Sequence, residues 1–345
     1  MLPSLAGVAI LSLSFFVPLV VVLLGMPPFA GYLKRSGRIV DDVHKSPPTK
    51  VPSPAGPLLL LGALAGEAVA YLTFGTLVPV AVIGAAVVAF AVGLADDLFV
   101  LGGRTKPLLL FLAAIPFLAI TIWQPDLYQS SLAFPFFHST SPHFTIYTGL
   151  VILAFPVVSN AFNMMDSFNG QVSGFTLLTS LALLFGVVLH AAYSSGFAPV
   201  RIASTLPLVG IAAAFLIFNR YPSKVFDGDS GALMMGAMYA ALAVTGGVEM
   251  AAIVAIVPSI LNSFYILSSV RGLVERRKMK SRPTYIGEEG RMYASLEKDA
   301  PVTLVRMLLL NGPLTERELV KAVLGLTAIA CALSVITSAL TWVRF

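Results

Sequence analysis

The chain has 345 residues, of which 57% are hydrophobic and only 11% charged, with a mean hydropathy of +0.88. Soluble domains carry about 25% charged residues, so this composition excludes a soluble globular protein and describes an integral membrane one. The net charge of +5 gathers in a few loops, which points to anionic lipid head groups and anionic substrates rather than to nucleic acid.

A bilayer core takes roughly 20 apolar residues per helix. The apolar runs predict ten spans, near 4–25, 57–73, 76–95, 107–123, 146–163, 171–192, 203–218, 232–246, 248–270 and 321–343. The expected fold is therefore all-α and polytopic: one transmembrane domain over 1–345, with a long basic cytoplasmic loop at about 271–320. Nearly all Lys and Arg residues follow spans one, three, seven and nine, which places those loops in the cytoplasm and both termini outside. The first span has its positive charge behind it, as an uncleaved anchor does. The single cysteine, Cys331, lies in the last span, so no intramolecular disulfide is expected.

After span one, four prolines between Gly37 and Gly56 rule out a helix. His44 and Lys45 could reach a phosphate there, or simply sit at the interface with their stems in the bilayer. Glu67 lies inside span two, where an ionisable group is costly and faces either a structural partner or a substrate. Span three runs out into Asp96 and Asp97. A helix C-terminus disfavours anions, so Arg104, Lys106 or a metal must compensate them. Paired carboxylates can also separate their pKa values and leave one as a base; a solvated helix end is the plainer alternative.

Segment 124–145 has no Lys or Arg and reads as an outer loop. Span five ends in Asn160-Ala-Phe-Asn-Met-Met-Asp-Ser-Phe-Asn-Gly170, whose Asn160, Asn163 and Asp166 recur on one helical face. Such a face must meet a ligand, a metal or its own kind in a polar seam. The polar island Asn219–Gly231 holds Arg220, Lys224, Asp227 and Asp229 with glycines at 228 and 231. Hard oxygen ligands beside cations suit Mg²⁺ carrying phosphate oxygens, although an ordinary hydrated loop has the same composition. After span nine come Arg271, Arg276, Arg277, Lys278, Lys280 and Arg282, then a short apolar segment at 303–310, then a capping-box pattern of Thr315 and Glu318 that predicts the start of the last helix.

With these pieces in order, the chain resembles the polyprenyl-phosphate N-acetylhexosamine-1-phosphate transferase superfamily, which includes the dolichyl-phosphate GlcNAc-1-phosphate transferases and the bacterial MraY and WecA enzymes. The matching pieces are Asp96-Asp97, Asn160-Ala-x-Asn163 through Asn169-Gly170, and Phe218-Asn-x-Tyr-Pro-Ser-Lys-Val-Phe-x-Gly-Asp229. The resemblance implies that Asp229 and Asn163 bind Mg²⁺, with Mn²⁺ as a substitute. It implies that Phe226 stacks on uracil and Asn169 bonds its edge. It further implies roles for Lys106 and Lys45 at the phosphates, and for Asp96 and Asp97 near the acceptor phosphate. Asp166 matches the bacterial form of the motif, while Asp227 stands where the family is usually apolar. The His-rich motif of bacterial members is absent; Lys278, Lys280 and Arg282 are the expected pyrophosphate contacts instead, in a loop closer to the dolichyl-type branch and suggestive of an archaeal member.

The function this implies is transfer of a GlcNAc-1-phosphate group from a UDP-sugar to polyprenyl or dolichyl phosphate, with release of UMP, at the cytoplasmic face of the cell membrane. A homodimer is compatible with it. A donor of the MraY kind, a transporter and a lipid-binding structural protein are the alternatives. A transporter needs its polar residues near the midplane, whereas these motifs sit at span ends.

Overall fold

The computed structural model describes residues 5–45, 47–124, 132–140, 143–193, 199–274, 279–287 and 290–342. Its helices are α1 (Leu5–Arg35), α2 (Gly56–Phe74), α3 (Val78–Phe99), α4 (Thr105–Leu109), α5 (Ala114–Trp123), α6 (Phe144–Met165), α7 (Gln171–Tyr193), α8 (Val200–Asn219), α9 (Gly228–Gly246), α10 (Glu249–Ala255), α11 (Val257–Ser269), α12 (Leu304–Leu309) and α13 (Glu316–Trp342). Three two-stranded antiparallel hairpins join them: β1 (Ile39–Asp42) with β2 (Thr49–Pro52), β3 (Leu132–Phe134) with β4 (Phe137–Thr140), and β5 (Thr284–Ile286) with β6 (Met292–Ala294). The first occupies the proline-rich segment predicted to be non-helical.

Each of the ten apolar runs is helical, but they are not ten equal spans. Among the described residues seven helices are long and apolar enough to cross a membrane, and eight if α10 and α11, bent by 65° at Ile256, form one broken span. Pro258, at the start of α11, lacks the N–H that would continue the ladder across that bend. The run at 107–123 is divided into α4, a 3₁₀ turn (Leu110–Ala113) and α5.

The α9 helix is a different case. It has 19 residues, and every one from Ser230 to Gly246 is buried. Because α2, α3, α6, α7 and α8 surround it, lipid does not dictate its composition; close packing does. Small residues let backbones approach in such a setting. A Cβ on Gly236 would lie 2.7 Å from Ser159 Cα of α6, and one on Gly93 would lie 2.5 Å from the Asp229 carbonyl oxygen.

The crossing at Gly93 joins the polar end of α3 to the N-terminus of α9. Gly93→Ala therefore has to push the two backbones apart. We expect a loss of about 1–3 kcal/mol, the usual cost of overpacking, read as a lowered melting temperature in detergent together with reduced activity.

Candidate active site

The site begins with the chain between α8 and α9. Asn219, buried at the end of α8, accepts a hydrogen bond from Ser173 Oγ (2.7 Å) and donates one to the Val225 carbonyl (3.2 Å). The Phe226 N–H then bonds to the Pro52 carbonyl (3.0 Å), while Ala55 N–H and Gly56 N–H donate to the carbonyls of Phe226 (2.9 Å) and Asp227 (3.0 Å). Phe226 is thus held between the last residue of β2 and the segment that leads into α2. Gly228 makes the final turn at φ +72°, with Pro54 and the Asp97 carboxylate against it.

An α-helix begins with N–H groups that have no intrahelical partner. Here Asp97, from the last turn of α3, accepts from the N–H of Asp229 (2.8 Å) and of Ser230 (3.0 Å). The anion that would be unfavourable at the end of its own helix is placed at the positive end of another. Its neighbour Asp96 accepts from Lys106 Nζ at 2.9 Å, and the same nitrogen donates to Asp229 Oδ2 at 2.7 Å. Lys106 therefore ties α3, α4 and α9 together. Burial disfavours its charge, but Asp229 and Asp96 outweigh that and raise its pKa. Of the two cations proposed from sequence to compensate Asp96 and Asp97, Lys106 makes the contact.

Asp96, Asp97, Lys106 and Asp229 line a cavity of about 1420 Å³. Asn160, Asn163, Asp166, Asn169 and Phe226 line it as well, and so do Lys280 and Arg282 from the loop after α11. Three separated sequence motifs thus converge on one space at one end of the bundle. Within it, Asn160 donates to the Pro156 carbonyl (2.8 Å) of its own helix. Lys280 is exposed and lies 3.9 Å from Asp299. Lys278 lies outside the described residues.

Other predicted residues stand elsewhere. Glu67 is 2% exposed within α2, beside Ser204, and does not line the cavity. Lys45 lies behind the wall, ion-paired to Asp42 and facing the Tyr221 ring at 4.8 Å. Asp227 is fully buried, and neither carboxylate oxygen has a side-chain or main-chain hydrogen-bond partner from another residue among the described residues. Burial, and then the charge of Asp166, push its pKa well above the usual carboxylate range.

Three residues not singled out from sequence hold the site together. Asp42 accepts from Asn169 Nδ2 (2.9 Å), and Glu316 Oε1 from the Asn169 backbone N–H (3.0 Å). Burial opposes the Asp42 charge, but the bonds from Asn169 and Lys45 outweigh it and hold Asp42 below its ordinary pKa. Asn262 of α11 donates to the Met164 carbonyl (2.9 Å) and accepts from Leu304 N–H (2.9 Å), joining the end of α6 to the start of α12. The capping box at α13 is present: Thr315 N–H donates to Glu318 Oε2 (2.9 Å) and Glu318 N–H donates to Thr315 Oγ1 (3.3 Å).

Among the described residues no three His, Cys, Asp or Glu side chains form a closed metal cage. Mg²⁺ asks for less, one or two protein oxygens with substrate phosphates and water completing its shell. Asp229, with its side chain 29% exposed, and Asn163 on the same cavity fit that requirement.

The profile of glycosyl transferase family 4 matches residues 79–247, which contain all three motifs. A protein of Methanocaldococcus jannaschii with the provisional name of a glycosyltransferase is 30% identical over 280 residues, 81% of either chain. A Saccharolobus solfataricus protein is 25% identical, over 89% of this chain and 90% of its own. Its provisional name is UDP-N-acetylglucosamine–dolichyl-phosphate N-acetylglucosaminephosphotransferase. The phospho-N-acetylmuramoyl-pentapeptide-transferase of Shouchella clausii is 34% identical over 109 residues, 32% of each chain.

Asp97→Ala removes the acceptor for two N–H groups at the head of α9. The expected loss is about 1–2 kcal/mol, as for other deleted N-caps, measured by thermal unfolding in detergent. Asp97→Asn, which keeps one oxygen, should lose less.

Proposed function

The chain belongs to the polyprenyl-phosphate N-acetylhexosamine-1-phosphate transferase superfamily, glycosyl transferase family 4, and on that premise we propose that it transfers GlcNAc-1-phosphate from UDP-GlcNAc to dolichyl or polyprenyl phosphate. The products are UMP and a lipid-pyrophosphate-linked sugar that starts glycan assembly, with N-glycosylation as the pathway it serves. The names of the Saccharolobus relative and its like support the donor and acceptor.

One observation carries the reading: a single ammonium, Lys106 Nζ, bridges carboxylates of two motifs at the wall of a cavity that the third motif also lines. Phosphoryl transfer asks the protein mainly for position and charge balance. An oxygen of the acceptor phosphate attacks the sugar-bearing phosphorus of the donor, and the bond from that phosphorus to the UMP oxygen breaks. Lys106 offsets negative charge at the reacting phosphates, and the paired carboxylates keep it protonated and in place. Asp96 and Asp97 lie beside the acceptor phosphate, which is itself an anion at neutral pH and needs no strong base. Phe226 stacks on uracil and Asn169 meets its edge. Arg282, with Lys280 and Lys278, grips the pyrophosphate, since an Arg fork offers two parallel hydrogen bonds. Asp229 and Asn163 would hold Mg²⁺, which when bound neutralises the pyrophosphate and eases departure of UMP.

The acceptor's isoprenoid tail requires a site at a membrane surface. The basic loops support a site on the cytoplasmic side of the cell membrane.

The direct measurement is UMP release by the purified protein from UDP-GlcNAc with lipid phosphate and Mg²⁺, compared with UDP-GalNAc and UDP-MurNAc-pentapeptide as donors. Preference for UDP-GlcNAc is expected; turnover of the muropeptide donor alone would replace this reading with a peptidoglycan one. Asp229→Asn should remove activity while leaving the protein folded. Arg282→Ala should cost at least tenfold in turnover or donor affinity, about 1.4 kcal/mol. Orientation is tested by cysteines at Ser139 and Ser281 in a Cys331-free background, which should label from opposite sides of sealed vesicles.

A further inference from the structure

Between β6 and α12 the chain runs from Ser295 to Thr303 without helix or strand, so its carbonyls have no ladder to enter. Main-chain carbonyls need partners all the same. Four of them are met by one side chain. Arg306, in the first turn of α12, donates from Nε to the Ser295 carbonyl (2.8 Å) and from Nη2 to that of Glu297 (3.1 Å). Its Nη1 donates to the carbonyls of Ala300 and Pro301. A guanidinium suits this task because it is a flat fork of five N–H donors with no acceptor, and it is always protonated.

Arg306 does not line the cavity, whereas Ser295, Glu297 and Pro301 of the segment it gathers do. That segment is tied to the chain that carries Arg282. The Ser295 N–H donates to the carbonyl of Pro283, the residue next to Arg282, at 2.9 Å. Its Asp299 lies 3.9 Å from Lys280. At the other end the segment is rooted on α11, where Leu304 N–H donates to Asn262 and Val302 N–H to Ser269 Oγ (3.0 Å). Arg282 itself is exposed on the cavity wall, so its place depends on the backbone that bears it.

We propose that Arg306 is a positioning residue: by gathering the carbonyls of 295–301 it fixes the backbone from which Arg282 enters the cavity, and so sets the affinity for the pyrophosphate of the donor. This rests on Arg282 being the pyrophosphate contact of the reading above. A cation held in place before the ligand arrives loses less freedom on binding than one on a loose loop. Lysine cannot substitute, since its donors share a single nitrogen and cannot span four carbonyls.

The test uses UDP and UMP as probes on the full-length protein in detergent with Mg²⁺; UDP carries a pyrophosphate and UMP does not. Affinities are measured by calorimetry for wild type, Arg306→Ala, Arg282→Ala and the double variant, and melting temperatures report folding. In Arg306→Ala the preference for UDP over UMP should fall about fivefold, and in the Arg282→Ala background the same change should have no further effect, as in a coupled pair. Arg306→Lys should lose the preference too, and it carries the test if Arg306→Ala does not fold. Equal weakening of both nucleotides, an unchanged preference, or an equal loss with Arg282 already removed overturns the proposal and leaves Arg306 as scaffold. The underlying reading fails by a separate result: if Arg282→Ala alone keeps the wild-type preference, Arg282 does not grip the pyrophosphate and the proposal falls with it.

Discussion

The bundle depends on how one buried helix begins. The α9 helix runs through the middle of the protein, packed against α2, α3, α6, α7 and α8, and it is buried from Ser230 onward. In a membrane protein the N–H groups of such a helix's first turn must be satisfied from within. Asp97 satisfies two of them from across the α3–α9 crossing, and Gly93 one turn earlier allows the backbones to come close enough for it to do so. A carboxylate is the strongest acceptor available, and its charge is favoured at a helix N-terminus. The structural cap and the cavity therefore share one residue pair. Asp97 faces α9, and Asp96 faces Lys106.

From that cap the electrostatics of the site follow. Asp96, Asp97, Asp166, Asp227 and Asp229 crowd together, and their mutual repulsion is relieved in three ways. Asp97 sits on backbone N–H groups, Asp96 and Asp229 share one lysine, and burial pushes the pKa of Asp227 up, which disfavours its charge. What remains is a cavity with exposed positive charge on the loop side, from Lys280 and Arg282, and carboxylate and amide oxygens on the bundle side. That division suits an anionic substrate whose charge the loop cations meet. It also accounts for the position of the polar motifs at helix ends, where polar side chains can be numerous without being exposed to lipid.

Much of this was legible in the sequence, and the reasons are physical. Apolar runs of near-span length are unambiguous because lipid tolerates little else, so the helices and the non-helical proline segment could be read directly. The recurrence of Asn160, Asn163 and Asp166 follows the helical period, and the three do share one cavity wall. The capping box of α13 was readable because it is local. Runs whose apolar character has another cause were read less well: α9 is apolar because helices surround it, and the 107–123 and 248–270 runs hide a 3₁₀ turn and a 65° bend within uniform hydrophobicity.

The sequence alone determined that this is a polytopic membrane protein with its charged motifs at helix ends, since those properties depend on composition and on spacing within a dozen residues. It did not determine which charge answers which. Lys106 meets Asp229 across 123 positions, Asp42 meets Asn169 across 127 and Glu316 meets Asn169 across 147. Nothing in the local pattern marks Asp42 or Glu316 as belonging to a site, because a carboxylate beside a hairpin turn or in a first helical turn is ordinary. Only the folding of α3, α9 and α13 around one point decided those pairings, since hydrogen bonds act over about 3 Å and take no account of distance along the chain.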